Sequence, residues 1–210
     1  MPKIALVAGG DFSGIFGEFD YFVGIDRGNL HLMAGNFPID YAIGDFDSVS
    51  AQELSDIKVR AKKFQQAPAE KNDTDTELAL KMIFQEFPDA QVTIFAAFGG
   101  RLDHLMSNLY LPSDPEIEPF MSQIQLMDAQ NIVQFRPSGS HLVEEVKGMK
   151  YVSFMSESQS PLTIRGAKYD LDASNYFQKK VYSSNEFIGQ AIEVSTQTGY
   201  IIIIQSKDRS

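Results

Sequence analysis

The sequence predicts an α/β fold: a mostly parallel sheet domain with helices on both faces over residues 1–128, followed by an all-β domain over 129–210. Two observations carry this. Through about residue 120 short β-rich runs alternate with helical patterns, and beyond it helical periodicity fades and short β-rich runs take over.

The strands of the first half are short and largely apolar, as strands buried on both faces must be. They are "KIALVAG" (3–9), "YFVGID" (21–26), "DYAIGD" (40–45) and "QVTIFAAFG" (91–99). Helices are expected at "GNLHLMAGN", "SAQELSDI", "TDTELALKMIFQEF" and "LDHLMSNLYL". The third is the best defined, because Leu78, Ala79, Met82, Ile83 and Phe87 share one face and Pro88 closes it. Thr74 with Glu77, and Ser50 with Glu53, each fit a capping box.

"SDPEIEP" (113–119), with two prolines and three acids, reads as a hinge between the halves, and "IQLMD" (124–128) as a last strand of the first sheet. Separate strands follow at "NIVQFR", "HLVEEV", "YVSFMS", "PLTIRGAKYD", "QAIEVST" and "GYIIIIQS". "STQTGYIIII" reads as a hairpin turning near Gly199.

Composition narrows the chemistry. With 210 residues and 43% hydrophobic content the chain can bury a sizeable core. No run approaches the roughly 18 apolar residues that span a bilayer, and the N-terminus has no signal-peptide pattern, so a cytoplasmic protein without membrane contact is expected. There are no cysteines, and His31, His104 and His141 are scattered, which leaves thiolate and histidine metal sites aside. A net charge of −10 argues against nucleic acid as a partner. Phosphates bound by such a chain call for a divalent cation, and Mg²⁺ takes carboxylate oxygens.

The carboxylates fall where a ligand is expected. In open α/β sheets ligands sit beyond the carboxyl ends of the strands. "YAIGDFDS" puts Asp45 and Asp47 there, "GIDRG" adds Asp26, and "FGGRLDH" adds Arg101 and Asp103. "KNDTDTELAL" places Asp73 and Asp75 at a helix N-terminus, where free amides and the macrodipole favour anions. Singly, each cluster is also ordinary turn-and-cap chemistry. Together they repel one another unless a cation neutralises them, so Asp45, Asp47 and Asp75 are the candidate Mg²⁺ ligands. The glycines of "AGG" (8–10), "DRG" (26–28) and "FGG" (98–100) follow strands where backbone amides can approach phosphate, and Arg101 can grip it bidentately. His104 reads as a surface or cap residue, and His31 and His141 as structural.

In order, "GIDRG", "GDFDS", "KNDTDTELAL" and "GGRLDH", followed by "TIRGAKYDL" and "SSNEF", resemble the thiamine pyrophosphokinase family. The resemblance runs nearly end to end, and the combination is far more specific than its members. It implies Mg²⁺-dependent transfer of a pyrophosphoryl group from ATP, the co-substrate, to the hydroxyl of thiamine, giving thiamine diphosphate and AMP. It also implies an α/β nucleotide-binding domain, a β-sandwich thiamine-binding domain, and a homodimer with the active site at the subunit interface.

Carried over by position, Asp45, Asp47 and Asp75 would hold Mg²⁺, while Arg101 and Asp103 would sit at the phosphates and the reacting hydroxyl. Gly10, Asp26, Gly28, Asp73, Thr74, Gly99 and Gly100 would border the nucleotide. Tyr169 would cover the thiamine rings, with Ser184 and Asn185 beside it. Asp103 and Asp73 are both candidates for the base. Two positions depart from the family pattern: Asn72 stands where K-D-x-T-D has an acid, with Asp73 one residue later, and Tyr169 stands where tryptophan is common. A catalytically silent sensor of nucleotide or thiamine is the rival reading, and Asn72 is the residue that suggests it.

Overall fold

The computed structural model of the chain describes residues 1–68 and 72–208. Contacts divide it into two compact units, Met1–Ala129 and Gln130–Ser210. The first combines a sheet with helices, and the second is built from sheet.

Unit 1 holds strands β1 (Lys3–Val7), β2 (Tyr21–Ile25), β3 (Ile39–Gly44), β4 (Ala61–Gln66), β5 (Gln91–Phe95) and β6 (Ile124–Met127). All its pairings are parallel, in the order β6-β5-β1-β2-β3-β4. From β1 the chain first winds outward through β2, β3 and β4, then returns to place β5 on β1's other edge. The reversal opens a crevice between β1 and β5 beyond their carboxyl ends.

Helices α1 (Gly28–Ala34), α2 (Ala51–Arg60), α3 (Asp75–Glu86) and α4 (Leu102–Leu109) connect or follow these strands. Ile4, Ala5, Leu6 and Val7 of β1 are fully buried, so both faces of the sheet are covered. Ala5 and Val7 join one core cluster with Leu32 of α1 and Ile57 of α2. α3 packs on β2 and β3 through a stripe of Ala79, Leu80, Ile83 and Phe84, and Phe84 stacks on Phe120 at 4.3 Å. Both expected capping boxes form: Ser50 and Thr74 each accept the N–H of the glutamate three residues on, whose carboxylate accepts their own N–H in return.

Unit 2 is antiparallel. Strands β7 (Asn131–Val143) and β11 (Ile192–Ser206) pair along most of their length. β8 (Tyr151–Glu157) joins the C-terminal half of β11, β9 (Thr163–Arg165) joins its N-terminal half, and β10 (Tyr182–Asn185) lies on β8. Its core gathers Val152 and Phe154 from β8, Ile164 from β9, and Val194, Ile201 and Ile203 from both halves of β11.

Several expectations are corrected. "STQTGYIIII" is no hairpin: β11 runs straight through, and Gly199 lies where its register on β7 shifts between Thr196 and Tyr200. A bulge absorbs the turn-forming glycine and lets one strand serve two partners. "NIVQFR" and the first three residues of "HLVEEV" likewise belong to the single strand β7, which ends at Val143. The segment 113–119 is not the junction of the units; it links two short 3-10 turns inside unit 1, Leu111–Ser113 and Glu118–Gln123. β4, "AKKFQQ", was not expected at all.

Candidate active site

A cavity of about 530 Å³ lies beyond the carboxyl ends of the parallel strands. Ala8, Gly9 and Gly10 line it after β1, Ile25, Asp26 and Arg27 after β2, and Asp45, Asp47 and Ser48 after β3. Ala96, Ala97, Gly99, Gly100 and Arg101 close it after β5, with His104, Ser107 and Asn108 from α4 and Thr74, Asp75 and Thr76 from the start of α3. This is the crevice that the sheet's change of direction creates.

Within it, Asp26, Asp45 and Asp75 each bring a carboxylate oxygen within 4.8 Å of the other two, the one such group among the described residues. Each is half-buried. Their gathering has local causes. Asp26 takes the left-handed conformation (φ 44°), and its carboxylate accepts the N–H of Phe46 at 3.0 Å. Gly44 permits that approach, since a Cβ there would stand 1.9 Å from the same oxygen. Asn29, fully buried, donates to the Asp26 carbonyl at 3.0 Å and fixes the turn. Asp75 opens α3 directly after its Thr74 cap, where the helix N-terminus favours a carboxylate.

The electrostatics follow. Burial, reinforced by the charges of Asp75 and Asp45 and opposed by the Phe46 N–H, raises Asp26 from 3.8 to about 7. Three carboxylates and no histidine or thiolate form a donor set suited to a hard divalent cation. Asp47 is not one of the three: it lines the cavity but is exposed, and its N–H donates to Asp45 at 3.0 Å. Asp26, expected at the nucleotide, joins Asp45 and Asp75 in this group, and Asp47 stands beside it on the cavity wall.

Other expected residues divide. Gly10, Thr74, Gly99, Gly100 and Arg101 line the cavity, whereas Gly28, Asp73 and Asp103 do not. Gly28 is buried, and a Cβ on it would stand 1.8 Å from the Val7 carbonyl, so packing of α1 on β1 demands the glycine. Asp73 turns away to Lys81, with both oxygens 3.1 Å from its ammonium. Asp103 is engaged by the Arg101 guanidinium, which holds it below the usual carboxylate range. Asn72 is exposed and lines no part of the cavity, and Lys71 lies outside the described residues.

Arg27, Ser48, Thr76, His104, Ser107 and Asn108 also line the cavity, though the motifs did not single them out as site residues. Arg27 adjoins Asp26 and donates to the Ser48 carbonyl at 3.2 Å, so adjacency to a motif acid was its only signal. His31 is structural: its ring stacks on Phe12 at 4.9 Å, and burial lowers its pKa.

In unit 2 Tyr169 is exposed and Asn185 buried. The Asn185 side chain accepts the Tyr169 N–H at 2.9 Å and donates to its carbonyl at 2.7 Å, so it sets the loop that carries the ring. Ser184, also in the left-handed region (φ 59°), donates its N–H to Ser153 at 3.3 Å. Among the described residues no helix is long and apolar enough to cross a membrane.

Two family models match the chain: "Thiamin pyrophosphokinase, catalytic domain" over residues 12–118 and "Thiamin pyrophosphokinase, vitamin B1 binding domain" over 140–201. The thiamine pyrophosphokinase of Bacillus subtilis (strain 168) is 35% identical over 221 residues, covering 99% of this chain and 100% of its own length. Among solved structures, a thiamin pyrophosphokinase family protein from Enterococcus faecalis has a TM-score of 0.91 at 42% identity, covering 99% of this chain and 100% of that one. Thiamin pyrophosphokinase from Candida albicans reaches a TM-score of 0.73 at 14% identity, covering 98% and 89%, a likeness of fold alone.

The raised Asp26 pKa has a measurable consequence. The folded protein holds this proton more tightly than the unfolded chain does, so the site contributes stability at acid pH, and that contribution is lost as pH rises from about 4 through about 7. Asp26→Asn keeps an oxygen for the Phe46 N–H, tolerates the left-handed backbone and removes the charge. In chelator-treated protein, urea denaturation should show the variant gaining stability over wild type progressively between pH 4 and pH 8. A difference independent of pH would contradict the assignment.

Proposed function

The chain belongs to the thiamin pyrophosphokinase family and forms thiamine diphosphate from thiamine; from that premise we propose how its residues carry the reaction. ATP occupies the cavity of unit 1, and its pyrophosphoryl group passes to the hydroxyl of thiamine. The hydroxyl oxygen bonds to the β-phosphorus, the bond from that phosphorus to the α–β bridging oxygen breaks, AMP leaves with the electron pair, and the hydroxyl proton is released. The observation that carries this reading is the convergence of Asp26, Asp45 and Asp75 on a cavity that also presents glycine backbone and two arginines.

In this reading Asp26, Asp45 and Asp75 would hold Mg²⁺, with Asp47 beside them on the cavity wall adding negative charge. When bound, the cation neutralises phosphate charge and stabilises charge developing in transfer. The chain's own residues bind and orient. Amides of Gly9, Gly10, Gly99 and Gly100 approach the phosphates without side-chain obstruction. Arg27 and Arg101 offset the phosphate charge, with Arg101 exchanging Asp103 for a phosphate oxygen. Phosphoryl transfer depends mainly on placement and electrostatics, so little is asked of a base. Asp73, held by Lys81, is a poor acceptor for the hydroxyl proton, whereas Asp103 becomes free to take it once Arg101 turns to phosphate.

Unit 2 is then the β-sandwich thiamine-binding domain. Tyr169 covers the cationic thiazolium with one face while the Lys168 ammonium stands 5.5 Å from the ring centre. The protein is read as a cytoplasmic homodimer, and sedimentation at assay concentration tests the assembly.

Two outcomes are expected. With ATP, Mg²⁺ and thiamine the protein should release AMP and thiamine diphosphate in equal amounts, and Asp45→Asn or Asp75→Asn should slow this about a hundredfold or more without loss of fold. Binding of both substrates with no AMP formed would favour the silent sensor instead. Tyr169→Ala should weaken thiamine binding by roughly 1–2 kcal/mol while Tyr169→Phe changes it little. Equal affinity in all three proteins would remove Tyr169 from the site.

A further inference from the structure

Lys81 lies outside the cavity, in the second turn of α3, and its ammonium is gripped by three acids. It stands 3.1 Å from each oxygen of Asp73, 2.8 Å from Asp114 and 3.0 Å from Glu116, so each of its three N–H groups has a partner. The Lys81 side chain is only 18% exposed and that of Asp114 only 17%. Burial alone would favour loss of the lysine proton, but the three carboxylates outweigh it and raise the pKa. Partly desolvated pairs of this kind are costly to break, because the orphaned charge stays buried.

The partners come from two segments that build the cavity wall. Asp73 immediately precedes the Thr74 cap, so it belongs to the chain that delivers Asp75. Asp114 and Glu116 follow the short turn Leu111–Ser113, on the segment that leaves α4, and α4 contributes His104, Ser107 and Asn108 to the same cavity. One ammonium thus ties the entry of α3 and the exit of α4 to the body of α3. The Asp73 contact also closes eight residues of chain on themselves across the cap, which limits how the start of α3 can turn.

Resting on the reading of Asp26, Asp45 and Asp75 as cation ligands, we propose that Lys81 is a positioning residue that holds Asp75 against Asp26 and Asp45, where like charge would otherwise drive it outward. The cap gives Asp75 its helical conformation, and Lys81 fixes where that capped turn sits. Partners that orient a metal ligand typically influence affinity about tenfold or more.

The test is Mn²⁺ binding by electron paramagnetic resonance to the full-length protein without substrates, alongside activity as a function of Mg²⁺. Lys81→Met should weaken Mn²⁺ about tenfold. It should also raise the Mg²⁺ concentration for half-maximal rate by a similar factor while leaving the KM for thiamine unchanged. Lys81→Arg should restore both, and Asp73→Asn should move both in the direction of Lys81→Met. A purely structural lysine would lower the melting temperature and leave Mn²⁺ affinity of the folded protein at the wild-type value, which overturns the proposal. If Lys81→Met does not fold, unchanged Mn²⁺ affinity in Asp73→Asn overturns it equally. Wild-type protein that binds no Mn²⁺ removes the cation reading and this proposal together, whereas wild type and variants binding alike remove the proposal alone.

Discussion

The structure is organised around an unfavourable contact: three carboxylates, Asp26, Asp45 and Asp75, share one cavity with oxygens within 4.8 Å of one another. Burial, with the charges of Asp75 and Asp45 added to it, opposes ionisation of Asp26, which holds its proton up to about pH 7. Each is kept in place by something stronger than the repulsion. Asp26 is fixed by the Phe46 N–H and buried Asn29, Asp45 by the end of β3, and Asp75 by its capped helix.

The sheet explains why the three meet. Parallel strands all end on the same edge, so loops that are far apart in sequence open side by side. β1 and β5 lie at the reversal of the winding, and the loops after them bring glycines, while the loops after β2 and β3 bring acids. The cavity therefore has an acidic side and a side of open backbone. β1, buried on both faces and paired with β2 and β5, sits where the winding reverses.

Much of this was legible in the sequence, for physical reasons that also show its limits. α3 was readable because its apolar stripe, capping box and terminal proline are all local signals, and acids after apolar runs were readable because strand ends are local too. β4 was not, because as an edge strand with two lysines it buries little and shows no clean alternation. Gly199 misled for the opposite reason: a glycine between apolar runs marks a turn or a bulge equally, and the partners of β11 decide which. In the site, motif spacing brought Asp26, Asp45, Asp47 and Asp75 to one edge but did not show that Asp26 is the acid whose carboxylate closes on Asp45 and Asp75. Which acid faces the others depends on the Phe46 amide and Gly44, contacts that spacing does not encode.

Asp73 and Asp103 make the same point through their cations, and the two pairs are suited to opposite tasks. Arg101 and Asp103 are both more than half exposed, and ion pairs in water are weak because solvent replaces either partner readily. Lys81 and Asp114 are mostly buried, and breaking such a pair costs about 3–5 kcal/mol because the remaining charge has no water to turn to. The exposed pair is therefore the one able to open for a substrate, and the buried one is able only to hold. Had the acid before the cap stood at residue 72 in place of asparagine, its partner would depend on which way that side chain leaves the turn. At residue 73 it meets the ammonium directly, so the entry of α3 is tied to a partly buried cluster, while Arg101 makes its ion pair at the surface.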